Sequence, residues 1–218
     1  MGKELAVKLK ICGVTQAEDM VSLVRMGVPF IGLITEVPGT PRCLDLKKAL
    51  SLASIAPQRT VFVVADPSDS LLRALIRVAP AAIQFHGQED PRRLSWVRSI
   101  VEESTEVWKA LPISFGAHPE PFREVVDRFV LERPKTPPVQ GPFPLALALN
   151  LMEEARKPVL AAGGITPESA LGVVQSLNPY GIDMASGVEK APGIKNLQAV
   201  HEVLAALSAE KILDIQST

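Results

Sequence analysis

The sequence predicts an α/β protein in which residues 1–218 form one domain, a single (β/α)8 or TIM barrel. Short apolar segments alternate with segments of helical periodicity along the whole chain, which is typical of βαβ units with right-handed crossovers and a parallel sheet. About eight such units in roughly 200 residues favour a closed barrel over an open sheet. The composition agrees, because 47% hydrophobic but only 5% aromatic residues indicate aliphatic packing of buried parallel strands.

Each element of the barrel can be placed from this alternation. The predicted strands are residues 7–11, 30–34, 60–65, 81–85, 106–111, 128–132, 158–162 and 181–185. The predicted helices are residues 17–26, 44–55, 67–78, 91–102, 167–177 and 196–207. Three helices are expected to begin with proline after a capping residue, at Asp66-Pro67, Asp90-Pro91 and Thr166-Pro167.

Residues 133–144 break the pattern, because they contain five prolines. Proline removes a backbone donor and restricts the residue before it, so the first half of this stretch is not helical. We expect it to be the loop after the sixth strand; the alternative is a linker between two domains. The loop is favoured, because the alternation of strands and helices resumes directly afterwards without a change of composition.

Charge and composition exclude several classes of function. A net charge of −1 and a pI of about 6.3 give no electrostatic basis for binding nucleic acid or an anionic membrane. Two cysteines, Cys12 and Cys43, make neither a disulfide framework nor a metal site. No apolar run reaches the ~20 residues that span a bilayer, and no apolar segment of a signal peptide follows Met1. These features predict a cytoplasmic protein without a membrane or nucleic-acid partner.

The segment Lys10-Ile-Cys-Gly-Val-Thr15 is the most informative motif. It predicts a strand that ends on Cys12, a turn at Gly13 and a helix capped by Thr15. In a (β/α)8 barrel, the carboxyl ends of the strands carry the active site, and a helix N-terminus lowers the pKa of a nearby thiol. Cys12 is therefore a candidate base or nucleophile; the alternative is a small buried residue under a turn.

Other reactive or polar residues fall at or just after the predicted strand ends. Thr40-Pro41-Arg42 presents a guanidinium on a rigid turn, suited to a bidentate contact with a carboxylate. Glu132 ends an apolar strand, where it acts as a general acid or, alternatively, as a helix cap or ion-pair partner. His86 either contacts a ligand or braces the barrel. The complete set is Cys12, Arg42, Asp66, His86, Lys109, Glu132, Gly163-Gly164, Asp183 and Ser186.

Two glycine turns follow the last two predicted strands, at Gly163-Gly164 and at Ser186-Gly187. This is where many (β/α)8 barrels hold a phosphate group. Glycine allows backbone N–H groups to approach an anion, and the N-terminus of the following helix adds a favourable dipole. Glycines also serve tight turns alone, but two such turns at the same end of the barrel favour phosphate binding.

Together these segments resemble phosphoribosylanthranilate isomerase, a (β/α)8 enzyme family of tryptophan biosynthesis. The resemblance covers nearly the whole chain in the family's order, and its matching segments are residues 10–15, 40–42, 83–87, 161–165, 181–189 and 192–195. It implies an Amadori rearrangement of N-(5-phosphoribosyl)anthranilate to 1-(2-carboxyphenylamino)-1-deoxyribulose 5-phosphate. No metal or organic cofactor is implied.

The resemblance also assigns roles to residues. It implies that Cys12 is the general base, that Glu132 is the general acid and that Arg42 holds the anthranilate carboxylate. Gly163, Gly164, Ser186 and Gly187 fit the phosphate site, and His86 and Asp183 are expected to contact the substrate. The expected partner is thus a small phosphosugar, bound by a monomer or a homodimer.

Two features depart from the family pattern, both on the sixth βα unit. Glutamate stands at position 132 where the family has aspartate, which moves the carboxyl group by roughly 1 Å, enough to matter for catalysis. The following loop is rich in proline and has only Gly141, where the family's loop is rich in glycine. These departures leave open an isomerase for another phosphosugar, a non-catalytic barrel that binds phosphorylated ligands, and a purely structural scaffold.

Overall fold

Eight parallel strands form a closed barrel in the computed structural model of this chain, in the order β1 to β8. This confirms the predicted fold class. The structure describes residues 7–134 and 143–216, with side chains as far as residue 208. All eight strands run the same way, so their carboxyl ends meet on one face of the barrel, and the loops on that face can converge on one site.

The observed strands differ from the predicted strands by at most one residue at either end. They are β1 (Lys8–Cys12), β2 (Phe30–Ile34), β3 (Thr60–Val64), β4 (Ala82–Phe85), β5 (Glu106–Pro112), β6 (Arg128–Glu132), β7 (Val159–Ala162) and β8 (Gly181–Met184). A short antiparallel hairpin, β9 (Glu189–Ala191) with β10 (Ile194–Lys195), follows β8.

Seven α-helices surround the strands in the described part of the chain. They are α1 (Ala17–Arg25), α2 (Leu46–Ala53), α3 (Asp69–Ile76), α4 (Pro91–Ile100), α5 (Leu145–Ala155), α6 (Pro167–Leu177) and α7 (Leu197–Gln216). After β5, a 3₁₀ turn at Glu120–Phe122 takes the place of a helix. Among the described residues, no helix is long and apolar enough to span a lipid bilayer.

Two of the three predicted proline-led helix starts are correct. The Asp90 side chain accepts a hydrogen bond from the backbone N–H of Arg93 and caps α4, and Thr166 caps α6 in a capping box. The start predicted at Asp66-Pro67 is wrong, because Ser68 is the residue that caps α3. Asp66 has a positive φ of 47° and belongs to the turn before the helix.

Side chains of each strand alternate between the barrel interior and the layer beneath the helices. The apolar interior contains Val61, Ala82, Trp108, Ala110, Val130, Leu160 and Ala162. Phe30 packs edge-on against Trp108 with ring centroids 4.9 Å apart. A larger cluster, which includes Leu9, Ile31, Phe62 and Phe129, lies between strands and helices. The inward positions near the carboxyl ends, by contrast, include polar groups.

Candidate active site

Cys12 ends β1 and is buried at the carboxyl end of the barrel. It lies beside Gly32 of the neighbouring strand in the parallel register. A Cβ atom at position 32 would come within 2.7 Å of the Cys12 Sγ and 2.9 Å of its Cα. The space that glycine leaves at position 32 therefore accommodates the Cys12 thiol.

The electrostatic surroundings of Cys12 differ from the expectation of a helix-activated thiol. Burial raises the pKa of Cys12, and the neighbouring ammonium groups of Lys10 and Lys195 offset this rise only in part. The predicted capping role of Thr15 is also wrong. Gln16 occupies the N-cap position of α1 without a side-chain cap, while the Thr15 hydroxyl donates to the Gly193 carbonyl at 2.8 Å.

Lys10 lies two residues before Cys12 and pairs with Asp183 of β8 inside the barrel. Its Nζ is 2.7 Å from the Asp183 Oδ2, and the lysine side chain is fully buried. Burial disfavours the charged form of Lys10, but the attraction of Asp183 and Cys12 outweighs it, so the pKa of Lys10 is raised. A protonated lysine therefore lies beneath the Cys12 thiol, where it favours the thiolate.

Glu132 ends β6 and contacts His86, the residue that follows β4. The Nε2 of His86 and the Oε2 of Glu132 are 2.5 Å apart. The Glu132 side chain is 19% exposed and that of His86 is 44% exposed, so both reach the mouth of the barrel. The backbone N–H of His86 donates to the Val64 carbonyl at 2.8 Å, which fixes the start of the turn.

Arg42, in the loop between β2 and α2, is held by Glu189 of the hairpin. Its Nε is 2.9 Å from the Glu189 Oε1, and its Nη2 is 2.6 Å from Oε2. Lys195 donates to the same Oε1 at 2.7 Å and to the Cys12 carbonyl at 2.6 Å. The hairpin therefore joins the arginine loop to the end of β1.

The charges in this cluster are strongly coupled. Burial raises the pKa of Glu189, but hydrogen bonds from Arg42 and Lys195 outweigh it, and the pKa falls below its ordinary value. Burial lowers the pKa of Lys195, which Glu189 offsets only in part. The ionised Glu189 thus organises two cations at the edge of the site.

The two glycine turns lie against each other. Gly163 and Gly164 have φ angles of +100° and +72°, a conformation that favours glycine. A Cβ atom at Gly187 would collide with the Ile165 carbonyl oxygen, so the turn after β8 packs directly on the turn after β7. Their backbones, with the N-terminus of α6, form one surface suited to an anion.

A cavity of about 130 Å³ brings together all the residues to which the resemblance assigns a role. It is lined by Cys12, Arg42, His86, Glu132, Gly163, Gly164, Asp183, Ser186 and Gly187. His86 and Glu132 also border a larger cavity of about 760 Å³ between the loops after β4 and β5. The pair therefore stands where the site opens outward. The roles expected of these residues remain predictions.

Two other strand-end candidates do not face this cavity. Asp66 accepts a hydrogen bond from the Gln88 backbone at 2.8 Å and joins neighbouring turns. Lys109 lies within β5 rather than at its end, and its Nζ is 2.7 Å from the Glu89 Oε2, in a buried ion pair. Lys109 alternates with the inward-facing Trp108 and Ala110, so it points away from the barrel interior.

Four polar residues of the site were missed in the sequence. They are Lys10, Gln84, Glu189 and Lys195, all buried or nearly so. Lys10 and Gln84 each precede a predicted site residue by two positions, which places them on the same face of their strand. A lysine and a glutamine within apolar strands were signals that could have found them. Contacts of Glu189 and Lys195 depend on the hairpin, which local periodicity does not reveal.

Comparison with known proteins gives a consistent result. The family model described as "N-(5'phosphoribosyl)anthranilate (PRA) isomerase" matches residues 9–206. The N-(5'-phosphoribosyl)anthranilate isomerase of Myxococcus xanthus is 34% identical over 213 residues, which are 93% of this chain and 96% of that protein. The tryptophan biosynthesis protein TrpCF of Yersinia pestis is also 34% identical, over 91% of this chain but only 40% of its own length.

Solved structures share the fold. The phosphoribosyl anthranilate isomerase of Thermus thermophilus superposes with a TM-score of 0.77 at 30% identity, covering 93% of this chain and 99% of that one. TrpF of Jonesia denitrificans has a TM-score of 0.80 at 24% identity, covering 93% and 97%. At that identity, the second likeness concerns the fold alone.

Proposed function

This chain belongs to the N-(5'-phosphoribosyl)anthranilate isomerase family, and from that premise we propose which of its side chains carry out the reaction. The enzyme converts N-(5-phosphoribosyl)anthranilate to 1-(2-carboxyphenylamino)-1-deoxyribulose 5-phosphate in tryptophan biosynthesis. The conversion needs a proton donor at the furanose ring oxygen and a base at C2′. The convergence of Cys12, Glu132, Arg42 and the two glycine turns on one cavity is the observation that carries the assignment.

Glu132 is the acid in this proposal. Its protonated carboxyl group gives a proton to the ring oxygen, the bond from C1′ to that oxygen breaks, and the nitrogen lone pair forms the iminium. The His86 contact holds the Glu132 carboxyl group at the mouth of the cavity. Such a fixed position matters, because general acid catalysis requires the donor to lie within hydrogen-bond reach of its target.

Cys12 is the base in this proposal. Its thiolate removes the proton from C2′, and the electron pair of that bond forms the C1′–C2′ double bond while the iminium nitrogen becomes an amine. The resulting enol then takes up a proton at C1′ and loses the proton of its 2′-hydroxyl group, which gives the ketone of the product. Burial opposes formation of the thiolate. The positive charges of Lys10 and Lys195 favour the thiolate, and they are needed for Cys12 to ionise and act as the base.

Arg42 is proposed to bind the anthranilate carboxylate. Glu189 accepts hydrogen bonds from the Nε and Nη2 of the Arg42 guanidinium. The substrate carboxylate is therefore expected on the Nη1 side. Arginine's planar fork presents parallel donors on more than one edge, which suits it to two carboxylates at once. Glu189 also keeps the guanidinium from rotating before the substrate arrives.

The phosphate group is proposed to lie on the backbone of Gly163, Gly164, Ser186 and Gly187. These turns pack together, and α6 begins directly after the first of them. Backbone donors and the helix dipole favour a dianion there. Phosphate and carboxylate would then be bound on different sides of the cavity, which places the ribose between Cys12 and Glu132.

Competition during turnover tests this arrangement. Inorganic phosphate should compete with the substrate by occupying one end of the site, and the reduced product, 1-(2-carboxyphenylamino)-1-deoxyribitol 5-phosphate, should compete far more strongly by occupying both ends. Equal inhibition by the two compounds would contradict the proposal. The matched variant Arg42→Met should weaken inhibition by the reduced product and leave inhibition by inorganic phosphate unchanged.

We further propose that residues 1–218 act as one barrel domain in the cytoplasm, as a monomer or a homodimer. Support comes from the near-neutral charge and from a single continuous barrel across the described residues. Light scattering coupled to size-exclusion chromatography measures the assembly, and cell fractionation measures the location. A stable higher oligomer or a membrane-bound pool would contradict this proposal.

A further inference from the structure

Two buried side-chain oxygens in the described part of the chain have no hydrogen-bond partner. They are Oε1 of Gln84 and Oδ1 of Asp183. Gln84 is 2% exposed and Asp183 is 9% exposed. Buried polar atoms are nearly always hydrogen-bonded in folded proteins, and an orphaned acceptor lowers stability. Both atoms therefore call for an explanation.

Both residues line the candidate active-site cavity. Gln84 lies within β4 on the inward face, beside Val63 of β3 and Trp108 of β5 in the parallel register. Valine has no donor to offer. The indole N–H of Trp108 is already committed to the Glu106 Oε2 at 2.6 Å, so neither register neighbour supplies a side-chain donor to the Gln84 oxygen.

Asp183 is half satisfied. Its Oδ2 accepts from Lys10 at 2.7 Å, whereas its Oδ1 has no partner. Asp183 also interacts electrostatically with Cys12. Asp183 therefore lies on the side of the cavity that contains the proposed base, and Gln84, two positions before His86, is part of the same lining.

The chemistry of the substrate limits what can satisfy these acceptors. Its phosphate and carboxylate oxygens are themselves acceptors, so they cannot donate to Gln84 or Asp183. The anilino N–H lies next to the ortho carboxylate of the same molecule, which accepts its hydrogen bond. The ribose hydroxyl groups are the remaining donors, and the proposed binding mode places the ribose in the middle of the cavity.

We propose that Gln84 is a substrate-binding residue whose Oε1 accepts a hydrogen bond from the ribose 3′-hydroxyl, while the Asp183 Oδ1 accepts from the 2′-hydroxyl. The 2′-hydroxyl is assigned to Asp183 because C2′ is the carbon from which Cys12 removes a proton. This inference rests on the proposed function, and it adds a residue to the site together with a reason for selecting a ribosyl group.

A structural role for Gln84 makes the opposite prediction about stability. If the side chain supported the barrel, its replacement by Leu or Met would destabilise the ligand-free protein. If Oε1 is an orphan that awaits substrate, either replacement removes an unsatisfied acceptor from apolar surroundings. The melting temperature of the ligand-free protein should then stay unchanged or rise by about 2–4 °C.

The first test therefore measures the ligand-free melting temperature and two affinities in Gln84→Leu and Gln84→Met. We expect the reduced product to bind about 10-fold more weakly and inorganic phosphate to bind as it does to the parent. Gln88→Leu is the matched control, since Gln88 is exposed on the following turn and should change neither affinity. A lower melting temperature with an unchanged affinity for the reduced product would overturn the proposal.

The second test identifies the hydroxyl group. Removing the 3-hydroxyl from the reduced product should weaken binding to the parent about 10-fold but should not weaken binding to Gln84→Leu. Equal losses on both proteins would overturn the assignment. A parent protein that binds inorganic phosphate but neither turns over substrate nor binds the reduced product would instead overturn the proposed function, and with it this inference.

Discussion

The imidazole Nε2 of His86 lies 2.5 Å from the Oε2 of Glu132, which joins the turn after β4 to the end of β6. The resemblance implied an aspartate at position 132, so the glutamate has one additional methylene to accommodate. Contact with His86 fixes the position of the carboxyl group at the end of the longer side chain. The two residues thus form one unit, in which His86 positions the carboxyl group proposed to protonate the substrate.

Replacing Glu132 tests the acid. Glu132→Gln should lower kcat by about 10²- to 10⁴-fold, because the amide keeps the size of the side chain but cannot donate its proton. Glu132→Asp should retain part of the activity, although the shorter side chain loses its contact with His86. Steady-state kinetics measure both. If Glu132→Gln matched the parent, the acid would lie elsewhere, and Asp183 would be the next candidate in the cavity.

Replacing Cys12 tests the base. Cys12→Ser should lower kcat by about 10²-fold or more, since a hydroxyl group is a far weaker acid than a thiol and supplies little anion. Affinity for the reduced product should change little, because serine fits the space beside Gly32. The matched control is Cys43→Ser, which lies outside the cavity and should remain fully active. Full turnover by Cys12→Ser would refute the proposed mechanism.

Gly32 tests whether the position of the thiol matters. In Gly32→Ala, the new methyl group would lie 2.7 Å from the Cys12 Sγ, so the thiol or the strand must move. We expect a loss of about 1–3 kcal/mol in the free energy of unfolding together with a fall in kcat. Gly172→Ala is the control, because its Cβ would meet no atom within 4 Å. Unchanged stability and kcat in Gly32→Ala would show that the space is not needed.

The ionisation of Cys12 should appear in the pH dependence of the reaction. Burial raises the pKa of this thiol, so the thiolate forms only as the pH rises beyond the ordinary value of about 8.5. The rate of iodoacetamide alkylation, measured in a Cys43→Ser background, should increase with pH through that raised value. A reaction rate that is already constant with pH below about 8 would contradict this expectation.

Glu189 should make stability depend on pH at the acid side. Its pKa in the folded protein is lowered because hydrogen bonds from Arg42 and Lys195 outweigh its burial. The sign follows from linkage: the ionised form stabilises the fold above the unfolded pKa, and this contribution is lost as the pH falls through the lowered folded pKa. The melting temperature of Glu189→Gln should therefore be below that of the parent at neutral pH, and the difference should disappear in acid. A constant difference would contradict the linkage.

Local sequence patterns were sufficient for most of the fold. Strands β2 and β6 begin and end at the predicted residues, because apolar runs bounded by turn residues leave little freedom. Helix α5 was missed, since its Leu- and Ala-rich sequence follows the proline-rich stretch directly and lacks a side-chain cap. Residues 135–142 of that stretch lie outside the described residues, so the non-helical conformation predicted for its first half stays a prediction.

The candidate site could be predicted only in part, for a physical reason. Residues at strand ends can be found from the strand pattern alone, and Cys12 and Glu132 were found in this way. Partners such as Glu189 for Arg42, or Asp183 for Lys10, are more than 140 positions apart and meet only when the barrel closes. The raised pKa of Cys12 likewise depends on its burial in the closed barrel, whereas the sequence pointed to a helix N-terminus that would have lowered it.

Turnover by the purified protein tests the central claim most directly. Freshly generated N-(5-phosphoribosyl)anthranilate should lose its fluorescence at an enzymatic rate when the protein is added, and Cys12→Ser and Glu132→Gln should each remove that rate. Such a result would establish that a glutamate at position 132 serves as the acid of this isomerase. A folded protein that binds the reduced product and inorganic phosphate but leaves the substrate unchanged would contradict the account.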